Sequence, residues 1–224
     1  MKADYPELKT VRLLDLSHTL AKEYLSGFEY PWEALGGISQ TIRDLSKTLG
    51  EEYREVSEGV FVHRTAKVSP TAYLGAPCII GPDTEIRHGA FIRGSALVGA
   101  GCVVGNSVEL KNAILFDGTQ VPHFNYVGDS ILGHRAHMGA GSITSNIKSD
   151  RTPVTVRTKD GRIQTGLKKM GAILGDFVEI GCNSVLNPGT VIGRNTSVYP
   201  LSSLRGAYPE GSIVKDGAHI VPRV

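Results

Sequence analysis

Large apolar residues recur every six positions along the first half of the chain. The row runs without a slip through Val62, Val68, Leu74, Ile80, Ile86, Ile92, Val98, Val104, Leu110 and Phe116. A period of six fits neither the 3.6-residue repeat of an amphipathic helix nor the two-residue alternation of a strand. It is typical of a parallel β-helix, in which each short strand lies on the strand one coil earlier. The pattern therefore predicts an all-β solenoid.

A second row of small residues follows the first at an offset of four. Its members are Ala66, Ala72, Cys78, Thr84, Ala90, Ala96, Cys102 and Val108. A large side chain on each flat side and a small one at each corner would fill a narrow interior. We expect all three cysteines, including Cys182, to be small core residues, as unpaired cysteine usually is.

The six-residue row is interrupted after Val121, resumes at Leu132, and stops again near Asn146. It returns as Leu174, Ile180, Leu186, Ile192, Val198 and Leu204. Residues 147–172 therefore form an insertion. Within it, residues 154–165 alternate around Asp160-Gly161, which predicts a β-hairpin. An insertion into a solenoid is expected to leave it as a surface loop.

Residues 1–60 have a different pattern. Apolar spacings of three and four predict two helices, over residues 13–24 and 35–49. We predict an N-terminal helical cap or linker, residues 1–60, followed by a β-helix domain, residues 61–224. The first segment has two interpretations: a cap over the open first coil, whose strand edges need cover, or a partner-docking arm around Tyr30 and Trp32.

Composition and charge exclude several classes of protein. The 224 residues are 41% hydrophobic and 21% charged, which allows an ordinary core. A net charge of +2, without a long basic run, argues against nucleic-acid binding. The N-terminus lacks a signal-peptide core, and no segment has the length of a membrane span. Three unclustered cysteines fit a reduced compartment. We therefore expect a cytoplasmic protein without nucleic-acid or membrane partners.

Three polar blocks lie where the repeat is interrupted. They are Gly105-Asn-Ser-Val-Glu-Leu-Lys111, Pro122-His-Phe-Asn-Tyr-Val-Gly-Asp-Ser130 and Met138-Gly-Ala-Gly-Ser-Ile-Thr-Ser-Asn146. Over residues 60–220 the chain resembles the acetyltransferase half of the bifunctional glucosamine-1-phosphate N-acetyltransferase/N-acetylglucosamine-1-phosphate uridyltransferase family. That family shows G-N-x-V-E-x-K, H-x-x-Y-x-G-D and G-A-G-x-I-T-x-N in this order. The resemblance implies a left-handed parallel β-helix, a homotrimer with active sites between subunits, and acetyl-CoA as donor.

The resemblance also implies roles for single residues. His123 corresponds to the catalytic base, and a histidine can accept an amine proton near neutral pH. Glu109 corresponds to a carboxylate that steadies this base. The implied substrate-side residues, among them cations suited to a sugar phosphate, are Arg93, Lys111, Tyr126 and His137. The implied coenzyme-side residues are Ala140, whose backbone N–H would meet the oxyanion, together with Asn146, Cys182 and Pro200. No metal ligand is implied.

The chain departs from the family pattern at four places. His137 stands where the family has an asparagine at the sugar, Cys182 where a serine meets the cofactor, and Pro200 where a small alanine lies beside the coenzyme. The insertion after Asn146 is longer than the family's loop. Arg205 and Lys168 could meet coenzyme phosphates, but we expect solvated surface charges there.

The leading hypothesis is an N-acetyltransferase that uses acetyl-CoA and acts on an amino-sugar 1-phosphate, first of all glucosamine 1-phosphate, in nucleotide-sugar or cell-wall precursor synthesis. One alternative is a zinc hydratase similar to the γ-class carbonic anhydrases, with His123, His134 and His137 as ligands. Another is a non-catalytic sugar-nucleotide-binding subunit. Nucleotidyl transfer is not expected, because residues 1–60 are too few for its α/β domain and lack a glycine-rich phosphate loop.

Overall fold

A computed structural model describes residues 5–216 and 219–223. Over most of this length the chain winds into a parallel β-helix. Each coil contributes one short strand to each of three flat faces, which we call A, B and C. Val60 pairs with Cys78, and Cys78 pairs with Ala96, so an ordinary coil takes eighteen residues, or three hexapeptides. The predicted all-β architecture, a left-handed parallel β-helix with a short helical region and an inserted hairpin, is confirmed.

The elements are short throughout. The helices are α1 (Thr10–Leu13), α2 (Lys22–Ser26) and α3 (Ile38–Ser46), with 3-10 turns at Pro6–Leu8, Leu16–His18 and Pro31–Gly37. The strands are β1 (Tyr53–Ser57), β2 (Val60–His63), β3 (Lys67–Val68), β4 (Tyr73–Leu74), β5 (Cys78–Ile80), β6 (Glu85–Ile86), β7 (Phe91–Ile92), β8 (Ala96–Val98), β9 (Val103–Asn106), β10 (Glu109–Leu115), β11 (Gln120–His123), β12 (Tyr126–Leu132), β13 (His137–Met138), β14 (Ile143–Thr144), β15 (Thr155–Arg157), β16 (Arg162–Gln164), β17 (Ala172–Leu174), β18 (Glu179–Ile180), β19 (Val185–Leu186), β20 (Thr190–Ile192), β21 (Ser197–Val198), β22 (Ser203–Leu204), β23 (Ala207–Tyr208), β24 (Ser212–Val214) and β25 (Ile220–Pro222).

Parallel pairing between coils assigns these strands to the faces. Face A consists of β2, β5, β8, the second halves of β10 and β12, β17, β20 and β23. Face B consists of β3, β6, β9, β11, β13, β18, β21 and β24, with β25 added antiparallel at its end. Face C consists of β4, β7, the first halves of β10 and β12, β14, β19 and β22. The functional residues can therefore be located by face and by corner.

The interior of the coil is the predicted apolar row. Ile80, Val98 and Leu110 are fully buried there, with small residues such as Ala96 packed beside them. Phe116 is an exception to the prediction: it is buried outside the coil, and Leu115 fills the interior place instead.

Phe116 is displaced from the interior because the coil that contains it is one residue shorter than an ordinary coil. Ala96 pairs with Ala113, and Ala113 pairs with Ser130, so two successive coils take seventeen residues each. In both coils the strand continues from face C to face A through a single residue with left-handed backbone, Asn112 at φ +51° and Asp129 at φ +49°. Asn and Asp adopt this conformation more readily than other non-glycine residues.

The N-terminal helices differ from their predicted extents. Residues 13–24 form the end of α1, a 3-10 turn and the start of α2, rather than one helix. Asp15 accepts a hydrogen bond from Ser17 N at 3.1 Å, and Thr19 Oγ1 accepts one from Ala21 N at 3.2 Å. Such local bonds compete with a continuous helix. Over residues 35–49 only α3 is α-helical, and the 3-10 turn beginning at Pro31 precedes it.

The N-terminal helices cover the outside of face A, and not the open first coil as expected. The outward side chains of face A form an apolar column at intervals of about one coil: Ile79, Leu97, Ile114, Ile131, Ile173 and Val191. Leu25, Leu35 and Ile42 pack on this column. Trp32 is only 1% exposed, so it belongs to this core and the docking arm around it is wrong. The strand that covers the first coil's edge is β1, which pairs antiparallel with β2.

The insertion contains the predicted hairpin, β15 and β16, closed by a hydrogen bond from Thr158 N to Gly161 O at 2.9 Å. It lies against face A, where Val154 and Val156 are fully buried. A Cβ at Gly189 would lie 2.5 Å from Thr155 O, so the close approach of the hairpin requires glycine there. Among the described residues, no helix has the length and apolar character needed to cross a bilayer.

Candidate active site

One corner of the β-helix, between faces B and C, aligns four of the predicted residues. Backbone hydrogen bonds run between successive coils at this corner: Gly141 N to His123 O (3.0 Å), Asn183 N to Ala140 O (2.8 Å) and Leu201 N to Cys182 O (2.9 Å). His123, Ala140, Cys182 and Pro200 therefore occupy equivalent positions of successive coils. We call this set the B–C row. The sequence placed these residues far apart, and the coil period brings them into line.

The turn that carries His123 is held from inside the coil. His123 is the last residue of β11, and its backbone N–H donates to Asn125 Oδ1 at 3.1 Å. Asn125 is buried, and its Nδ2 donates to Gly139 O at 2.8 Å and Ser142 O at 3.1 Å in the next coil. The His123 ring is exposed and has no hydrogen-bond partner in the described part of the chain. The backbone is thus fixed, and the ring remains available to a ligand.

Ala140, one coil further along the row, has a backbone N–H that donates to no acceptor within residues 5–216 and 219–223. Its neighbours on either side are engaged, since Gly139 N donates to Ile180 O and Gly141 N donates to His123 O. A free backbone N–H in an ordered turn is the kind of donor that can stabilise a developing oxyanion.

Face C carries the predicted substrate-side residues next to this corner. Arg93 Nη1 contacts Glu109 Oε1 at 2.7 Å, and this ion pair raises the pKa of Arg93. Tyr126 lies beside Glu109 in register, and partial burial, followed by the charge of Asp129, raises the pKa of its hydroxyl. Glu109 does not hydrogen-bond His123 among the described residues, because Arg93 is its partner.

Asp129 forms a hub at the corner between faces C and A. The residue is 4% exposed. Both carboxylate oxygens accept from Lys111 Nζ at 3.0 Å, Oδ1 accepts from Asn112 Nδ2 at 2.9 Å, and Oδ2 accepts from Asn146 Nδ2 at 2.5 Å. Asn146 Nδ2 also donates to Tyr126 Oη at 3.2 Å. Asn146 therefore lies with the substrate-side residues, while the other predicted coenzyme-side residues lie in the B–C row.

Sequence reasoning assigned no role to Asn112 or Asp129. The signal was present, because Asn112, Asp129 and Asn146 follow one another at intervals of seventeen residues, the length of the two short coils. Their polar side chains stack in one column, as side chains one coil apart do in any solenoid.

His137 lies away from the other substrate-side residues, on face B. Its Nδ1 is 2.8 Å from Glu179 Oε2. Both residues line an open groove of about 1190 Å³ that runs along face B and also includes Gln120, Arg135 and Phe177. The groove does not include His123. Lys168 and Arg205 are exposed, and Arg205 Nη2 reaches Asn187 Oδ1 at 3.4 Å.

The three cysteines differ in their exposure to solvent. Cys78 and Cys102 are buried core residues, as predicted, and burial raises the pKa of each thiol to about 12. Cys182 is exposed, so its prediction as a core residue is wrong. It follows the large residue Ile180 by two positions and not by four, which places it on the outer side of the corner. This exposure is compatible with contact to a bound molecule.

The three histidines of the zinc alternative do not converge on one point. His123 is in the B–C row, His137 is on face B, and His134 Nδ1 donates to Asp117 O at 2.8 Å while its ring stacks on His18 at 3.7 Å. Within the described ranges, no group of three or more His, Cys, Asp or Glu side chains is arranged to hold a metal ion.

The parallel coils of hexapeptides define a hexapeptide-repeat protein of the left-handed β-helix type. The chain belongs to the family described as GMPPB C-terminal domain, which it matches over residues 76–192.

Its curated relatives are longer proteins. A bifunctional sugar-1-phosphate nucleotidylyltransferase/acetyltransferase of Sulfurisphaera tokodaii is 29% identical over 166 residues, covering 74% of this chain and 38% of the relative. A bifunctional protein GlmU of Methanococcus maripaludis is 32% identical over 180 residues, covering 79% of this chain and 44% of the relative. The chain thus spans less than half the length of these two relatives.

Solved structures of acyltransferases also match. The N-acyltransferase AntD of Bacillus cereus, in complex with dTDP and coenzyme A, has a TM-score of 0.36 and 16% identity, over 78% of this chain and 92% of AntD. The acetyltransferase domain of PglB from Neisseria gonorrhoeae, in complex with acetyl coenzyme A, has a TM-score of 0.29 and 14% identity, over 82% of this chain and 63% of the PglB chain.

Proposed function

We propose that this protein is an acetyl-CoA-dependent N-acetyltransferase that acts on an amino-sugar 1-phosphate, with glucosamine 1-phosphate as the first candidate, in cytoplasmic nucleotide-sugar or cell-wall precursor synthesis. The observation that carries the proposal is the B–C row, in which the ring of His123 lies one coil from the Ala140 N–H, and neither group has a hydrogen-bond partner among the residues that the structure describes. The names of the curated relatives, which join sugar-1-phosphate nucleotidylyltransferase and acetyltransferase activities, support the same substrate class.

The chemistry is a direct transfer. The amino group attacks the thioester carbonyl, and its nitrogen loses a proton to the neutral His123 ring as the C–N bond forms. The carbonyl oxygen becomes an oxyanion that the Ala140 N–H can stabilise. When the C–S bond breaks, the coenzyme leaves as a thiolate and takes the proton from His123. The products are the amide and free CoA, and no covalent enzyme intermediate is formed. The coenzyme lies along Ala140, Cys182 and Pro200.

The substrate phosphate has two cations available, and each is already paired. Arg93 is paired with Glu109 and Lys111 with Asp129. The Arg93–Glu109 pair is substantially exposed, and exposed ion pairs are weak and exchangeable. A phosphate can therefore replace Glu109 at the Arg93 guanidinium, which leaves Glu109 free to support His123. Lys111 retains a donor for the same phosphate while it remains anchored to Asp129.

The site needs a second copy of the chain. His137 on face B and Lys111 on face C lie on different faces of the β-helix and in different coils, so they cannot meet at one substrate within a single chain. Around a threefold axis, face B of one copy can approach face C of its neighbour. A homotrimer with sites between subunits supplies this arrangement. Residues 1–60 and 61–224 are proposed as its helical and catalytic parts, with 147–172 as an inserted loop.

The test is a thiol-release assay with acetyl-CoA and glucosamine 1-phosphate. Removal of a general base typically lowers the rate about 10²- to 10⁴-fold, so we expect a loss of this size for His123→Ala. The matched control is His88→Ala. His88 is also exposed and two coils earlier in the same row, where Asn106 Nδ2 donates to its backbone oxygen at 3.0 Å.

Two results would overturn the proposal. One is full activity of His123→Ala. The other is a purified protein that releases no thiol with any amino-sugar phosphate. A parallel assay with UTP tests the expectation that the chain does not transfer nucleotidyl groups, and uridylyl transfer would contradict it.

A further inference from the structure

We propose that Asn112 is a positioning residue through which the N-terminal region sets the geometry of the substrate phosphate corner. The inference rests on the proposed function for the identity of the ligand. Its starting point is one amide group: Asn112 Nδ2 donates one hydrogen to Leu35 O at 3.1 Å and the other to Asp129 Oδ1 at 2.9 Å. A single side chain thus joins the N-terminal region to the hub of the candidate site.

The Asp129 end of this link determines where two site residues lie. The carboxylate is 4% exposed, so it depends on its donors to offset the cost of burying a charge. Those donors are Lys111, Asn112 and Asn146. A carboxylate held by four hydrogen bonds has little freedom to rotate. The orientation of the Asp129 carboxylate in turn fixes the Asn146 amide and the Lys111 ammonium, which would bind the phosphate.

The Leu35 end is equally fixed. Leu35 is 2% exposed and packs with Ile114 and Ile131 in the apolar cluster outside face A. It lies in the 3-10 turn Pro31–Gly37, which leads directly into α3. The carbonyl oxygen that Asn112 contacts therefore belongs to a buried, packed part of the N-terminal region.

The column that contains Asn112 shows that the amide is not required by the turn itself. One coil earlier the corner has two residues, Gly94 and Ser95, and the hydrogen bond from Asn112 N to Gly94 O at 3.2 Å places Asn112 level with Ser95, which has no amide and lies at φ +52°. Glycine and asparagine both adopt the left-handed backbone needed here, φ +51° at Asn112. The Asn112→Gly variant thus removes the link without straining the backbone.

Removing this link should affect binding of one ligand and not of the other. Loss of the link should loosen Asp129 and Lys111, and hence weaken binding of the phosphate-bearing substrate. The B–C row does not contact Asn112, so binding of acetyl-CoA should not change. A purely structural role for Asn112 would instead lower both affinities together, or lower stability alone.

The experiment is calorimetric binding of glucosamine 1-phosphate and, separately, of acetyl-CoA to the full chain. Three proteins are compared: wild type, Asn112→Gly and the control Ser95→Gly, which replaces the left-handed residue at φ +52° that is level with Asn112 one coil earlier. We expect Asn112→Gly to lose about tenfold in affinity for the sugar phosphate, the size of one hydrogen bond to a charged group, with acetyl-CoA affinity unchanged. Ser95→Gly should match wild type for both.

The inference is overturned by equal sugar-phosphate affinity of wild type and Asn112→Gly, by a parallel loss for both ligands, or by a wild type that does not bind glucosamine 1-phosphate. The thiol-release assay separates this result from the fate of the proposed function. If wild type binds the sugar phosphate selectively but releases no thiol, the proposed reaction fails and the positioning role stands. If wild type is active and Asn112→Gly binds normally, only the positioning role fails.

Discussion

The exposure of Cys182 allows a direct test of where the coenzyme lies. Cys182 is exposed in the B–C row, whereas Cys78 and Cys102 are buried with pKa values of about 12. Thiolate is the reactive form of cysteine, and an alkylating reagent reaches it only where the side chain is exposed. A thiol of pKa about 12 has on the order of one thiolate in 10⁴ at about pH 8. The two buried thiols are thus both chemically silent and inaccessible.

The assay is alkylation with iodoacetamide at pH 8, followed by mass spectrometry of the digested protein. We expect one modified cysteine, Cys182, and none in the Cys182→Ser variant. Saturating acetyl-CoA should slow the modification at least tenfold if the thioester and its pantetheine arm cover this position, while glucosamine 1-phosphate alone should not. Unchanged labelling in the presence of bound acetyl-CoA would show that the coenzyme does not follow the B–C row. Labelling of Cys102 at a comparable rate would refute the burial argument.

Two further predictions concern stability. Asp176 is fully buried and accepts hydrogen bonds from Arg194, from Asp15 N at 2.8 Å and from His134 N at 2.8 Å. Asp176→Ala leaves a cation and two N–H groups unpaired, so it should lower the free energy of unfolding in urea by about 3–5 kcal/mol, or the Tm by about 10 °C. A loss below about 1 kcal/mol would contradict this reasoning. Burial, and then the charge of His18, lower the pKa of His134 in the folded protein. The unfolded chain therefore binds a proton at His134 more readily than the folded chain does. The stability that the neutral ring contributes should be fully present above about pH 6.5, the ordinary histidine value, and should fall as the pH drops below it. His134→Gln should flatten this decline in thermal melts between pH 7 and 5, and an unchanged slope would refute it.

Much of the fold was readable in the sequence because solenoid geometry is periodic. Six-residue spacing of residues such as Ile80, Ile86 and Ile92 determines which side chains enter the coil, and all three are buried. The insertion was equally visible, since Asp160-Gly161 lies between alternating flanks and the hairpin forms there. These features depend on neighbours within a few residues or on a fixed repeat, so a single sequence contains them.

The N-terminal region was less readable because its structure depends on a surface formed elsewhere. The outward column of face A that it covers has one member per coil, so Ile79, Leu97 and Ile114 are separated by seventeen or eighteen residues and are masked by the stronger six-residue row. Without this column, the apolar residues of the N-terminus suggested a cap over the first coil. Local hydrogen bonds at Asp15 and Thr19 then divided a segment whose apolar spacing alone favoured one helix.

For the candidate site, the departure from periodicity and the chemistry have one physical origin. Removing one residue from each of two successive coils fuses the strands of faces C and A into β10 and β12 and makes a single left-handed residue form each corner. In the ordinary coil before them this corner has two residues, Gly94 and Ser95, at φ +113° and +52°. In the short coils it is taken by Asn112 and Asp129, whose side chains meet at 2.9 Å. The shortened corners also bring Lys111 within 3.0 Å of Asp129. A regular hexapeptide coil offers only flat apolar strands and small corners, so the polar cluster requires the interruption, and an interrupted period followed by polar residues at seventeen-residue intervals is the feature that predicts such a site.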